Sequence, residues 1–168
     1  MFPLNTLARY QSPSLRTFIE TKLETWMGLE INRDKTRVVH LNEQGASLDF
    51  LGFTLRYDRD RQGRPRRYLN VQPSRKAVAR MRQKLRNQTN HKQCFKPLPR
   101  LIEETNGGLR GWANYFRFGY PRGAFRAINT YTRLRLTIHV RRRSQRPFRP
   151  PEGVSYYEHF KRMGLVYL

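Results

Sequence analysis

From Ser14 the apolar positions Leu15, Phe18, Ile19, Leu23 and Trp26 recur every three or four residues, a spacing that predicts an amphipathic helix capped by Ser14 and stopped by Gly28. Residues 1 to 13, with two prolines and no period, read as an irregular lead-in. Beyond Gly28 the pattern changes. A polar turn at Asn32-Arg33-Asp34 precedes a β-branched strand over Thr36–Leu41, and Asn42–Gly45 reads as a turn. A second strand is expected over Ser47–Tyr57, with Gly52 as an internal glycine marking a bulge or a close backbone approach. The charged stretch Asp58–Arg67 is a long hairpin tip, and Tyr68–Gln72 returns as a third strand. These strands predict a small antiparallel meander packed on the first helix.

After Pro73-Ser74 only helical periods remain. Ala77, Val78, Met81 and Leu85 predict a helix over about residues 74 to 88, and a loop with His91, Cys94 and Pro97 leads to a short helix near 98 to 106. Asn106-Gly107-Gly108 is expected to break it. A separate aromatic helix then runs through Leu109–Arg117, with Trp112, Tyr115 and Phe116 at i, i+3 and i+4 between Arg110 and Arg117. Phe125, Ile128, Tyr131, Leu134 and Ile138 predict another helix over 122 to 142, running into three arginines. Arg146–Pro151 is a Pro/Arg linker, Ser155–Glu158 a capping-box pattern, and Gly164 the stop before an apolar tail that docks back. The fold class is α+β: a small antiparallel meander with one helix, followed by an all-α helical domain.

Composition adds a partner class. The formal net charge of the 168 residues is +22, and its placement is uneven. Residues 1 to 55 carry six Lys/Arg and six Asp/Glu, residues 56 to 100 carry 15 against two, and residues 101 to 168 carry 13 against four. An excess confined to the last two-thirds of the chain points to a surface for a polyanion, nucleic acid first. Arginine outnumbers lysine, which suits bidentate phosphate contacts.

Candidate catalytic chemistry is sparse. Cys94 is the one cysteine, which excludes an intrachain disulfide and a cysteine-based zinc site. His40, His91, His139 and His159 show no metal-ligand spacing. Glu103-Glu104 is the one acidic doublet, and neighbours on a helix diverge by about 100°. No phosphate-loop glycine pattern or nucleophile elbow occurs. No apolar run reaches the roughly 18 residues of a membrane span, so a membrane partner is not expected and the cytoplasm is the expected location. What stands out positively is basic helices interleaved with aromatics, the mixture that meets phosphates and stacks on unpaired bases.

Three runs then carry a family resemblance. Gly28-Leu29-Glu30-Ile31-Asn32-Arg33-Asp34-Lys35-Thr36-Arg37-Val38-Val39, Phe50-Leu51-Gly52-Phe53 and Leu109-Arg110-Gly111-Trp112-Ala113-Asn114-Tyr115-Phe116 together resemble group II intron reverse transcriptase/maturases, in order and in spacing. The resemblance covers roughly residues 18 to 168. It implies that residues 1–17 are a lead-in, 18–72 the C-terminal part of a reverse-transcriptase palm, and 73–168 the maturase-specific thumb domain. Phe50, Leu51, Gly52 and Phe53 would form a primer-grip-like hairpin. Trp112 and Phe116 would anchor the thumb core, leaving Arg110, Asn114 and Arg117 for the RNA side.

The family's polymerase site carries a Tyr-x-Asp-Asp motif, and no Asp-Asp occurs in this sequence. Without those carboxylates the two-metal reaction lacks its ligands, so no catalytic residue is assigned. No cofactor is expected either, Mg2+ entering only if another chain completes a catalytic palm. The expected function is that of an RNA-binding fragment of a maturase, whose partner is structured RNA, group II intron RNA above all. Candidate RNA contacts are Arg75, Lys76, Arg80, Arg82, Arg110, Asn114, Arg117, Arg133, Arg135, Arg141, Arg142 and Arg143. The alternatives are a subunit of a split reverse transcriptase completed by a second chain, and a general nucleic-acid-binding protein.

Overall fold

The structure, a computed structural model, describes residues 13–32, 34, 39–60, 62, 64–146 and 148–168. The chain forms two compact units, Met1–Val39 and His40–Leu168. In the first, helix α1 (Pro13–Thr21) passes into a π-type turn at Lys22–Trp26. Gly28 then takes φ +63°, and Leu29 N donates to Leu23 O at 3.0 Å. That six-residue closure is the glycine-terminated helix end expected from the sequence.

The second unit opens with a three-stranded antiparallel sheet, β1 (Leu48–Phe50), β2 (Phe53–Arg59) and β3 (Arg67–Pro73), in the order β1-β2-β3. The α+β class is therefore the observed one. The strands differ from the sequence reading in one respect. Ser47–Tyr57 is not a single strand with a bulge: Leu51 and Gly52, at φ +47° and +83°, are the central residues of a two-residue turn between the paired Phe50 and Phe53. Positive φ at both centres matches the twist of a hairpin, and leucine at the first is a strained choice. Of the strand expected at Thr36–Leu41, residues 36–38 lie outside the described residues, while Val39 and His40 are irregular and Leu41 lies in a turn.

Alternation along the strands separates two faces. Leu48, Phe50, Phe53, Leu55, Tyr57, Leu69, Val71 and Pro73 share one, while Asp49, Thr54, Arg56, Asp58, Tyr68, Asn70 and Gln72 share the other. On the polar face Arg56 pairs with Asp58 at 3.0 Å.

Ser74 caps the next helix, accepting from Ala77 N at 3.2 Å, and its own amide donates to Gly52 O at 2.7 Å. Helices α2 (Arg75–Gln88), α3 (Leu98–Tyr115), α4 (Arg122–Arg142) and α5 (Tyr156–Arg162) follow. Their apolar stripes converge on Met81 and Leu85 of α2, Leu101, Ile102 and Leu109 of α3, Ile128, Leu136 and Val140 of α4, and Phe160 of α5. Full burial of each such side chain contributes about 1.5–3 kcal/mol.

The expected break at Asn106-Gly107-Gly108 does not occur. α3 runs unbroken through it, because tertiary partners use these residues in helical form. Asn106 donates from Nδ2 to Gly164 O at 2.8 Å and accepts from Val166 N at 2.9 Å, fastening the C-terminal tail. A Cβ at Gly108 would make only ordinary van der Waals contacts with α2, 3.4 Å to Lys84 Nζ and 3.8 Å to Met81 Cε. The helix cost of each glycine, about 1 kcal/mol, is outweighed by the burial of Leu101, Ile102 and Leu109 on the same helix. The tail is held a second time by Asn129, which donates to Leu168 O at 2.8 Å and accepts from Leu168 N at 3.0 Å. At α5 the predicted capping box is complete, and Gly164 takes φ +89°.

Candidate nucleic-acid interface

Helix α2 has 14 residues, six of them Lys or Arg and none acidic. Its core stripe, Met81 and Leu85, divides these cations into two rows. Lys76, Arg80 and Lys84 follow at i, i+4 and i+8 on the flank toward α3, where Lys84 passes Gly108. Arg75, Arg82 and Arg86 follow at i, i+7 and i+11 on the flank toward α4, where Arg82 lies 5.5 Å from the Tyr131 ring centre. All six are exposed. Among the described residues, no ion pair includes any of them. Arg75 and Lys76 even occupy the first turn, where the helix dipole disfavours cations.

The aromatic stretch of α3 joins this helix to the hairpin. Phe53 packs on Tyr115 and Phe116 with ring centres 5.6 and 4.9 Å apart, and Trp112 packs on Phe116 and Phe125 at 4.9 and 5.6 Å. Phe116 is buried, and Trp112 is half-buried against the core. Tyr115 OH donates to Leu51 O at 2.8 Å, so both turn carbonyls, Leu51 and Gly52, are held by hydrogen bonds. The turn, Ala77, Arg80, Trp112, Tyr115 and Phe116 line an open cavity of about 440 Å³. Trp112 Nε1 is buried without a hydrogen-bond partner. Phe50 and Leu51 remain 60% and 68% exposed at the tip.

The predicted contact residues do not form one patch. Arg110 lies roughly 160° around α3 from Gly108, and Asn114 about 120°, so both face away from the α2 rows. Both are exposed, as is Arg117, whose guanidinium lies 4.9 Å from the Phe118 ring centre. Arg133 and Arg141 are exposed on the α4 flank beside α5, while Arg142 is turned about 100° from Arg141. Arg143 caps the end of α4 and is exposed.

Arg135 is turned inward. Its Nε donates to Thr89 Oγ1 at 3.0 Å and its NH2 to Thr89 O at 3.4 Å, tying α4 to the end of α2. His139 is fully buried beside it, with Nδ1 3.4 Å from Thr89 O. Burial first, then the charges of Arg143 and Arg135, hold the His139 imidazole below its ordinary value of 6.5. The unfolded chain therefore takes up this proton before the folded one does as pH falls, so the His139 contribution is intact above the unfolded value and is lost on acidification through the folded value. Chemical-denaturation midpoints should fall from about pH 7.5 to about pH 5.5, with a shallower fall in His139→Gln. Equal pH profiles for the two proteins would remove His139 as the cause.

The contact residues expected from the sequence do not include Lys84, Arg149, Tyr156 or Tyr157. Lys84 was legible as part of the α2 period. Arg149 and Tyr156 are brought together with Arg141 around one cavity only by the return of the chain after α4.

Residues 78–152, from the first turn of α2 through α4 and the segment after it, match the family model of the group II intron maturase-specific domain. This chain carries a group II intron maturase-specific domain. The Leu109–Phe116 run lies inside the matched region, while the runs at Gly28–Val39 and Phe50–Phe53 precede it. No curated protein matches the chain. The maturase domain thus supplies both basic rows of α2 beyond Arg75 and Lys76, the aromatic face of α3 and all of α4. No described helix is long and apolar enough to cross a membrane.

Proposed function

We propose that this protein binds structured RNA, group II intron RNA in the first place, and assists splicing by holding it, with no step of bond chemistry of its own. The observation that carries this reading is α2, a helix of the maturase domain with six exposed cations and no acid. Exposed arginines and lysines without carboxylate partners are held ready for phosphate oxygens, and the rigid core stripe beneath them fixes their spacing. The Leu51–Gly52 turn, held by Tyr115 and Ser74 beside Arg80, is read as the place where a strand backbone crosses from the sheet to the helices.

A filter-binding titration against group II intron RNA and an unrelated structured RNA of equal length tests the reading. The intron RNA should bind more tightly. Engagement of even six phosphates should weaken binding by roughly a thousandfold between 50 and 200 mM salt. Equal, weak and salt-insensitive binding of both RNAs would sink it. A second reading, a subunit completing a split reverse transcriptase, is favoured by the exposed Phe50, Leu51 and Leu69 at the sheet, which a further chain could cover; primer extension by the mixed chains separates the two.

A further inference from the structure

A groove runs between α4 and the start of α5, and no α2 residue lines it. Thr130, Arg133, Leu134 and Thr137 of α4 form one wall and Ser155, Tyr156 and Tyr157 the other, enclosing about 450 Å³. Its floor is apolar in character: Leu134 is 52% exposed there and Tyr157 39%. Tyr157 is braced from behind, with the Tyr167 ring centre 4.5 Å away and the Tyr167 hydroxyl donating to Tyr157 O at 3.3 Å. Tyr156 is fixed in turn by its hydroxyl, which donates to Phe148 O at 2.8 Å. Tyr156 also lines an adjoining cavity with Arg141, Arg149 and Pro150. Arg133 and Arg141 are eight residues apart on α4, about 12 Å along the helix. The acids of the α5 entry are Glu152 and Glu158, and Glu158 is turned back to accept from the Ser155 amide at 3.1 Å.

We propose that this groove binds an unpaired nucleotide in a single-stranded RNA segment, its base on Tyr157 and Leu134 and its flanking phosphates on Arg133 and Arg141. The proposal rests on the reading above that the chain binds RNA, and narrows it at a separate site. A flat apolar floor between cations is complementary to a base between phosphates, whereas a paired base has both faces covered by its neighbours and cannot enter. The bracing of Tyr157 lowers the ordering cost of stacking on it.

Fluorescence anisotropy of the full chain with a labelled oligouridylate of about eight nucleotides, and with an RNA duplex of matched charge, tests this. Tyr157→Ala should weaken the single strand by about tenfold or more, Tyr157→Trp should retain it, and the duplex should change less than about twofold. Leu134→Glu, at an exposed position that leaves the core untouched, should reproduce the single-strand loss. A 4-thiouridine in the strand should crosslink to Tyr156 or Tyr157. Unchanged single-strand affinity in both Tyr157→Ala and Leu134→Glu overturns the proposal and leaves the groove to a protein segment. Equal losses for strand and duplex overturn it too, since they mark a general electrostatic effect. Failure of the parent to bind either RNA would instead remove the RNA reading on which the proposal rests.

Discussion

Gly119→Ala lowers the unfolding free energy by about 3 kcal/mol or more. Gly119 lies between α3 and α4 with φ +77°, and a Cβ there would overlap the carbonyl oxygen of Val71 and come within 2.8 Å of Val71 Cβ. Val71 cannot withdraw easily, because it sits within β3 opposite Leu55 and its carbonyl accepts from Tyr120 N at 2.8 Å. The substitution therefore combines left-handed strain with a clash against fixed backbone. The control is Gly164→Ala. Gly164 has φ +89° but nothing within 4 Å of an added Cβ, so it should lose only the conformational term, about 1–2 kcal/mol. Urea unfolding of the two variants and the parent measures the difference, and equal midpoints for Gly119→Ala and Gly164→Ala would refute the assigned clash.

The combined variant Lys76→Glu, Arg80→Glu and Lys84→Glu loses RNA affinity on the order of a hundredfold, and its salt slope falls by about three. All three side chains are exposed, at i, i+4 and i+8 of α2, so the core stripe of Met81 and Leu85 is untouched. The same charge change at Arg59, Arg66 and Arg67, around the hairpin tip, is the comparison. If charge alone mattered, both variants would lose affinity equally. If the α2 row is the contact, the hairpin variant retains most of its binding at matched salt. Circular dichroism before each titration separates loss of binding from loss of fold.

Several elements follow from local pattern alone. The expected helices at 74 to 88 and 122 to 142 are observed at Arg75–Gln88 and Arg122–Arg142, because each has an amphipathic period and no proline or glycine pair inside it. The glycine stop at Gly28 and the capping box at Ser155 belong to the same class, since helix ends are settled within a few residues. The errors fall where distant partners act. Asn106-Gly107-Gly108 has the composition of a break, yet the returning tail holds Asn106 by two hydrogen bonds and Leu101, Ile102 and Leu109 are buried on either side. Gly52 looks like a bulge inside a strand, yet Ser74 and Tyr115 hold the Leu51–Gly52 pair as a turn.

The candidate interface divides in the same way. That the cations cluster after residue 55, and that α2 carries six of them without an acid, is visible in the residue order. Which of them can meet a ligand is not. Arg135 and Arg133 are two residues apart on one helix, but the first is tied to Thr89 and the second opens on the α5 groove. Periodicity assigned this protein its helices and its charge assigned it a polyanion, because both are properties of neighbouring residues. Tertiary structure alone chose the continuity of α3, the hairpin turn and the free arginines, because each depends on contacts between residues distant in the chain, as in Asn106 with Val166, 60 positions apart, and Tyr115 with Leu51, 64 apart.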